Sequence, residues 1–284
     1  MAWSKDVITW EENNYLCLSV PFTWLLPKAK AICLSNPNSN IAVGGPAVKL
    51  MPEYLSKYAD IEPFIPSEWP LRKHNIEATR TSISCPNSCS FCLISRIEGE
   101  FRELQEFPPG RIIQDNNFFA CSNEHIYKVV ELIKDIKNID FQGIDPARVT
   151  DEKIELIKSL SIESIKMGYD GEYERDEVFH ALSLFEKHKI PKSKILLYCL
   201  INYGETKQEA ISKLDMIKDR GYLPFAARYQ PFNTLKFNEY VHPNWTHKEL
   251  VDFCRYWNRQ SWFGGITYNE YLSGPKPKFQ NSLF

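Results

Sequence analysis

Long hydrophobic runs are absent from this sequence, and that absence excludes one class of protein. No stretch approaches the roughly 18 apolar residues that a membrane-spanning helix requires, so we expect no membrane span. The first ten residues carry Lys5 and Asp6 among apolar neighbours and lack the apolar core of a signal peptide. We therefore expect a cytoplasmic protein, in which the cysteines are reduced thiols or metal ligands rather than disulfides.

An excess of charge of one sign is also lacking. The 34 Lys and Arg residues nearly balance the 36 Asp and Glu residues, so a general attraction to nucleic acid or anionic lipid is not predicted. Internal repeats and low-complexity segments are missing as well. What the chain does contain, 43% hydrophobic and 25% charged residues, is typical of a globular protein with a buried core.

From about residue 77 onward, β-prone runs alternate with amphipathic helical stretches. The β-prone runs cover residues 79–84, the start of 111–120, 139–145, 162–169, 194–202 and 223–230. Strands that alternate with helices predict a parallel sheet, either a partial barrel or an open doubly wound sheet. In both architectures ligands bind at the carboxyl ends of the strands.

Helix boundaries can be predicted from capping residues. Thr206 with Glu209 and Thr246 with Glu249 form two capping boxes, and Thr150 is expected to cap a third helix that extends through residue 160. Apolar residues spaced i, i+3, i+4 and i+7 indicate another helix, for which Asn123 is the expected N-cap: Ile126, Val129, Val130 and Ile133.

Three segments are expected along the chain. Residues 1–73 read as an N-terminal extension of mixed α/β structure, with β-like runs at 15–26 and 41–43 and a turn at 44–46. Residues 74–245 form the domain with the parallel sheet. Residues 246–284 form a C-terminal helix and a tail.

Three cysteines lie within eight residues, in the sequence Cys85-Pro-Asn-Ser-Cys89-Ser-Phe-Cys92. Soft sulfur ligands on one loop suit an iron–sulfur cluster or zinc. A structural zinc site has four ligands, commonly in two separated pairs, whereas no second C-x-x-C is present. Three thiolates on a four-iron cluster would leave one iron open. Zinc with a fourth ligand from elsewhere (Cys121, Cys199 or His74) and metal-free thiols stay as alternatives.

The C-x3-C-x2-C spacing, with the aromatic Phe91 before the last cysteine, resembles the signature of the radical S-adenosylmethionine (SAM) superfamily. The resemblance extends over about residues 77–231, where polar motifs follow the β-prone runs: Glu98-Gly99, Asp115-Asn116-Asn117, Gln142-Gly143-Ile144-Asp145, Gly168-Tyr169-Asp170 and Gly204-Glu205-Thr206. It implies a partial (β/α)6 TIM-like barrel with a 4Fe-4S cluster and SAM as cofactors. It also implies reductive cleavage of SAM to a 5'-deoxyadenosyl radical that abstracts hydrogen from a substrate.

The same resemblance implies roles for particular residues. Asp115 or Asn117 would bind the SAM amine, although the family often has Gly-Gly-Glu where this chain has Asp-Asn-Asn. Arg148 would pair with the methionine carboxylate, and Asp170 would hold the ribose hydroxyls. The other expected cofactor contacts are Phe91, Ile201, Gly204 and Arg228.

Candidate substrate-side groups are Cys121, Cys199 and His125, each of which can equally be a buried thiol or a polar helix end. The expected partners are an external one-electron reductant of the flavodoxin or ferredoxin type and a substrate that is a small molecule, nucleotide or peptide. Cobalamin is not expected, because the N-terminal segment is short and lacks an Asp-x-His-x-x-Gly element. A methylthio- or sulfur-transferring enzyme and a non-catalytic zinc or iron–sulfur protein are the alternative functions.

Overall fold

The computed structural model describes residues 2–259 and 265–274; the predicted tail beyond residue 274 lies outside the described residues. The N-terminal unit contains four strands and three helices: β1 (Ile8–Glu12), β2 (Tyr15–Ser19), α1 (Leu26–Ser35), β3 (Ile41–Gly44), α2 (Pro46–Leu50), β4 (Asp60–Ile61) and α3 (Pro70–His74). Its sheet has the order β1-β2-β3-β4, in which β1 is antiparallel to β2 and the other pairs are parallel. A separate hydrophobic core lies under this sheet.

The predicted β-like run at 15–26 is wrong beyond Ser19. The chain forms a short 3-10 helix at Thr23–Leu25 and then enters α1, which carries Pro27 in its first turn. Proline fixes its own φ near the helical value and has no N–H to leave unpaired at a helix start, so it favours helix there.

The larger unit alternates strands and helices up to the end of the described chain. Its elements are β5 (Ala78–Thr79), β6 (Ser82–Ile83), α4 (Ile94–Glu98), β7 (Arg102–Glu103), β8 (Ile112–Ile113), α5 (Asn123–Ile133), β9 (Ile139–Ile144), α6 (Asp151–Ile157), β10 (Ile162–Tyr169), α7 (Arg175–Lys187), β11 (Ile195–Ile201), α8 (Lys207–Asp219), β12 (Leu223–Arg228), α9 (His247–Trp257) and α10 (Tyr268–Ser273). Short 3-10 helices also occur at Pro52–Tyr54, Phe118–Ala120, Pro146–Arg148, Glu172–Glu174 and Lys192–Lys194.

Six of these strands form one parallel sheet in the order β5-β8-β9-β10-β11-β12. The order follows the chain without reversal, so every carboxyl end lies on the same edge of the sheet. Strands β6 and β7 form a separate antiparallel ribbon. The predicted α/β class with a parallel sheet is confirmed.

The first two predicted strands are much longer than the observed ones. The run 79–84 divides into β5 and β6, because the Asp115 carboxylate accepts hydrogen bonds from the backbone N–H groups of Thr81 (2.6 Å) and Ser82 (3.2 Å). Those donors are then unavailable to a strand ladder. The run 111–120 is strand only in β8, and a 3-10 helix follows at Phe118–Ala120.

The capping residues position the helices largely as predicted. Thr150 and both predicted capping boxes are confirmed, and a third capping box opens α10. Asn123 is not the N-cap of α5, because the Ser122 hydroxyl accepts from the His125 N–H and the helix begins one residue later than Ser122. Helix α6 ends at Ile157 rather than at residue 160.

The main hydrophobic core fills the space between the parallel sheet and its helices. In β11, Ile195, Leu197, Cys199 and Ile201 belong to that core, and the residues between them face the other side of the sheet. Among the described helices, none has the length and apolarity to cross a bilayer.

Candidate active site around the cysteine loop

Residues 85–92, called the cysteine loop below, contact groups that follow successive strands of the parallel sheet. The Asn117 amide, after β8, donates to Cys85 Sγ at 3.6 Å. The Asn87 amide donates to Asp145, directly after β9, at 2.7 Å. The hydroxyl of Tyr203, after β11, donates to Ser90 at 3.0 Å. The cysteine loop therefore lies across the carboxyl ends of these strands, where the sequence placed it.

A partly buried ion pair fixes both ends of this region. Glu98, the last residue of α4, accepts two hydrogen bonds from the Arg80 guanidinium at 2.6 and 2.7 Å. It also accepts from the Ser84 N–H at 2.8 Å and from the Asn116 amide at 2.9 Å. Burial by itself would raise the pKa of Glu98, but the bonds and charge of Arg80 hold that pKa below its usual value. Glu98 is therefore an anion that ties the residue before Cys85 to the helix after Cys92.

The three thiols of the cysteine loop are free and partly exposed. Across residues 2–259 and 265–274, no group of three or more His, Cys, Asp or Glu side chains is arranged to hold a metal ion. The Cys92 N–H donates to the Cys89 carbonyl at 3.0 Å, which forms a turn between the last two cysteines. Metal binding by Cys85, Cys89 and Cys92 stays a prediction, and it requires the three sulfurs to draw together.

The surroundings of the thiols disfavour a free negative charge. Burial raises the pKa of Cys89 to about 11, and the thiols of Cys92 and Cys85 and the carboxylates of Asp170 and Glu174 add to the effect. Burial also raises the pKa of Cys92. Near pH 7 the thiols of Cys89 and Cys92 are therefore neutral. A bound cation would stabilise the thiolates, so metal binding would release protons.

Asp170, directly after β10, is a carboxyl beside the loop whose pKa is strongly raised. Burial, and then the charge of Glu174, raise its pKa to about 7, although the Lys213 ammonium opposes this. Lys213 itself donates to the carbonyls of Leu200 (2.6 Å) and Asp170 (3.2 Å), not to the carboxylate. Within the described residues the Asp170 carboxylate has no hydrogen-bond donor, so it can accept from a ligand.

A polar row joins the cysteine loop to the end of β9. Asp145 accepts from the amides of Asn87 (2.7 Å) and Asn117 (3.4 Å) and lies 3.5 Å from Arg148 Nε. The Arg148 Nη2 group also donates to the side-chain oxygen Oδ1 of Asn87 at 3.3 Å. Arg148 is thus near the cysteine loop, and its role as a carboxylate partner stays a prediction.

Aromatic rings continue from the cysteine loop to the loop after β12. The Phe91 and Tyr203 centroids are 5.5 Å apart, Tyr203 and Tyr229 are 4.7 Å apart, and Tyr229 and Tyr240 are 5.6 Å apart. Asn202 holds this arrangement, since its amide donates to the carbonyls of Tyr229 and Tyr240. Asn202 has a positive φ of 70°, a conformation that asparagine tolerates better than most residues.

A pocket of about 450 Å³ lies beside the cysteine loop, between the two units. The N-terminal unit contributes Trp3, Phe22 and Trp24 to its lining, among others. The larger unit contributes Phe91, the Arg80–Glu98 pair, Gln114, Asn116, Leu200 and the segment 228–232. The pocket is mostly apolar and aromatic, which is typical of small-molecule sites.

Both predicted amine ligands are buried and hydrogen-bonded within the fold. Asp115 is 1% exposed, and its carboxylate bonds to the backbone of Thr81 and Ser82 and to the Thr81 hydroxyl at 2.5 Å. Burial raises the pKa of this carboxyl, although the Thr81 bonds oppose the effect. Asn117 is equally buried, and its amide serves Cys85 and Asp145. Both residues position the loop rather than face open space.

The predicted substrate-side groups are also buried away from the pocket. Cys121 and Cys199 lie in the main core, where burial raises the pKa of each thiol to about 12. His125 is 5% exposed with Nδ1 3.7 Å from Glu103, and burial lowers its pKa. Ile201 is fully buried on the helix side of β11 and does not line the pocket beside the cysteine loop.

Of the remaining cofactor residues, Arg228 borders the pocket, but its Nη2 group donates to the carbonyls of Asn238 (2.8 Å) and Tyr240 (2.7 Å). Burial lowers the pKa of this guanidinium. Gly204 has open space where a Cβ would stand, and Phe91 lines the pocket. Contacts of Phe91, Asp170 and Gly204 with a cofactor stay predictions.

Sequence reasoning missed Arg80 and Asn116, which complete the ion-pair network of Glu98. The available signal was an arginine five residues before the first cysteine and an acidic residue six residues after the last. The contribution of Trp3, Phe22 and Trp24 to the pocket had no signal, because it depends on how the two units meet.

Comparison with known proteins adds no relative to these observations. Neither a protein-family model nor a curated protein matches the chain.

Proposed function

We propose that this chain is a radical SAM enzyme in which Cys85, Cys89 and Cys92 hold a 4Fe-4S cluster. We further propose that the six-stranded parallel sheet is a partial TIM-like barrel. The observation that carries the proposal is the position of the cysteine loop, which contacts residues after β8, β9 and β11 and borders the aromatic pocket through Phe91. A metal centre there would lie where ligands of parallel α/β sheets bind.

The donor set supports an iron–sulfur cluster chemically. Three thiols supply soft ligands, and no fourth cysteine is within the loop, which would leave one iron for a small ligand. The carboxylates of Asp170 and Glu174 lie close enough to Cys89 to favour a cationic metal centre electrostatically.

Residues around the cysteine loop would tune the cluster, position the loop and contact the ligand. Asn117 donates to Cys85 Sγ, and such bonds tune the charge on a ligating sulfur. Asp115 and Glu98 hold the backbone on the two sides of the cysteine loop. Asp170 offers an unoccupied carboxylate to a ligand hydroxyl or ammonium group.

When bound, a cluster with SAM would supply one-electron cleavage of the sulfonium to methionine and a 5'-deoxyadenosyl radical, which takes a hydrogen atom from a substrate. The electron would come from an external reductant of the flavodoxin or ferredoxin type. The pocket beside Phe91 would exclude water from the substrate, as radical chemistry requires.

Anaerobic purification followed by iron and sulfide analysis, and then incubation with dithionite and SAM, tests the proposal. We expect four irons per chain and the formation of 5'-deoxyadenosine. An iron-replete sample that yields no 5'-deoxyadenosine would refute the radical enzyme. One tightly bound zinc per chain from iron-rich cultures would support the non-catalytic binding protein instead.

Variants make the assignment specific to the loop. Replacing Cys85, Cys89 and Cys92 with alanine is expected to abolish cluster and cleavage together. Cys254→Ala is the matched control, because Cys254 is a partly buried thiol on α9. Retained cleavage in the triple variant, or equal loss in the control, would contradict the assignment.

A further inference from the structure

Several polar side chains border the pocket between the two units, and Gln114 is one that the fold does not use. Gln114 follows β8 and lines the pocket. Its backbone N–H donates to the Thr79 carbonyl at 2.8 Å, but its side-chain amide has no hydrogen-bond partner among the described residues. A half-buried amide with free donor and acceptor atoms is available to a ligand.

The direction of Gln114 follows from strand alternation. Ile113 belongs to the core on the helix side of the sheet, whereas Ile112 packs with Ala2 and Leu71 near the N-terminal unit. Gln114 lies on the same side as Ile112, because side chains alternate along a strand. That side also carries Trp3, another residue of the pocket lining.

Charges that border the pocket are already compensated. Arg80 and Glu98 pair with each other, and the Arg228 guanidinium donates to two loop carbonyls. The Gln230 amide is used within its own loop, since it donates to Thr234 at 2.9 Å. Among the residues that the structure describes, a ligand in this pocket therefore meets no unpaired ionic side chain, which favours an uncharged group.

Flat aromatic surfaces form the rest of the site. The Phe22 and Trp24 rings are stacked, with centroids 4.5 Å apart and an interplanar angle of 4°. The Trp24 ring lies 4.7 Å from that of Phe237, so one wall combines residues of both units. Such surfaces favour planar ring systems, which gain area and stacking energy together.

We propose that this pocket binds a planar, uncharged heteroaromatic ring of the nucleobase or lactam class. The ring lies against the wall formed by Phe22, Trp24 and Phe237, and its adjacent N–H donor and C=O or ring-nitrogen acceptor pair with the Gln114 amide. This inference names the substrate class for the proposed radical reaction. The role of the ligand as a substrate rests on the proposed function, whereas the binding of the ligand can be tested independently of it.

Isothermal titration calorimetry with 2-quinolone and N-methyl-2-quinolone tests the inference on the full chain purified without oxygen. The two probes have the same ring, but methylation removes the lactam donor. We expect 2-quinolone to bind at least tenfold more tightly. Gln114→Met should abolish this preference, whereas Gln105→Met, which changes an exposed glutamine, should retain it. Trp24→Leu should weaken both probes by similar factors.

Several results would overturn the inference. Equal affinity of the unchanged protein for both probes would overturn it. This comparison needs no variant, so it tests the inference even if Gln114→Met folds poorly. Tighter binding of the anion 2-naphthoate than of 2-quinolone would contradict the uncharged class. Competitive displacement of 2-quinolone by S-adenosylhomocysteine would assign the pocket to the cosubstrate. Gln114-dependent binding by a protein that forms no 5'-deoxyadenosine would support this binding site and refute the radical enzyme. Formation of 5'-deoxyadenosine without Gln114-dependent binding would support the radical enzyme and refute this binding site.

Discussion

Replacing Asp170 with asparagine is expected to stabilise the folded protein in a way that depends on pH. The substitution keeps the shape of the side chain and removes its charge. Burial, and then Glu174, raise the pKa of Asp170 from 3.8 to about 7, so the folded state prefers the protonated carboxyl. The unfolded state binds fewer protons between these two values, and stability therefore falls as the pH rises through this window.

The size of the effect follows from the two pKa values. Each unit is worth about 1.4 kcal/mol, so a pKa that moves from 3.8 to about 7 destabilises the ionised protein by about 4 kcal/mol at most. Asparagine removes this penalty. The gain should be largest near pH 8, less than half as large near pH 5, and close to zero below about pH 4.

Urea unfolding of metal-free protein at several pH values between 5 and 8 measures this gain. Asp135→Asn, which changes an exposed carboxylate, is the control and should show little dependence on pH. A gain for Asp170→Asn that is equal at pH 5 and pH 8, or a loss of stability at pH 8, would refute the reasoning. Either result would mean that the carboxylate has a donor or cation beside it in the free protein.

Three further substitutions test the architecture by urea unfolding and iron analysis. Glu98→Gln leaves the Arg80 guanidinium without its anion in a partly buried setting, and we expect a loss of about 2 kcal/mol. Gly143→Ala should lower stability by about 2 kcal/mol, because the new Cβ would lie 2.6 Å from the Asn116 carbonyl oxygen. Cys199→Ser should lower stability by about 1–3 kcal/mol through burial of a hydroxyl and leave the iron content unchanged.

Each of these predictions has an outcome that contradicts it. A Glu98→Gln protein as stable as the parent would mean that the ion pair does not support the loop. Gly168→Ala, whose Cβ would meet only the Asp170 side chain at 3.2 Å, should be milder than Gly143→Ala, and the reverse order would count against the described contact. Loss of iron in Cys199→Ser would contradict the prediction of unchanged iron content and indicate that the Cys199 thiol is a metal ligand.

The alternation of strands and helices was predictable, because it depends on local periodicity. The capping boxes at Thr206 and Thr246 were predictable for the same reason, since all their bonds form within four residues. The break between β5 and β6 was not, because it depends on Asp115, more than thirty residues away in the chain. Local sequence propensity cannot predict a hydrogen bond between residues so far apart in the chain.

For the site residues too, what depends on local sequence was predictable and what depends on contacts between distant segments was not. The sequence placed the cysteine loop beside the ends of the strands correctly, and it identified Asp170 as a residue beside that loop, while its contact with a cofactor stays a prediction. It misplaced Cys199 and Ile201, because the side of β11 that faces the helices is decided by register with β10 and β12. It also misread Asp115, whose acceptors are consumed by the backbone of its own fold.

The central claim is that Cys85, Cys89 and Cys92 hold a four-iron cluster with one iron open to SAM. Mössbauer spectroscopy of protein reconstituted with ⁵⁷Fe, recorded with and without SAM, tests it most directly. We predict four irons per chain, one of which changes its isomer shift when SAM is added. Four irons that do not respond to SAM, or protein that assembles no cluster under these conditions, would contradict the account.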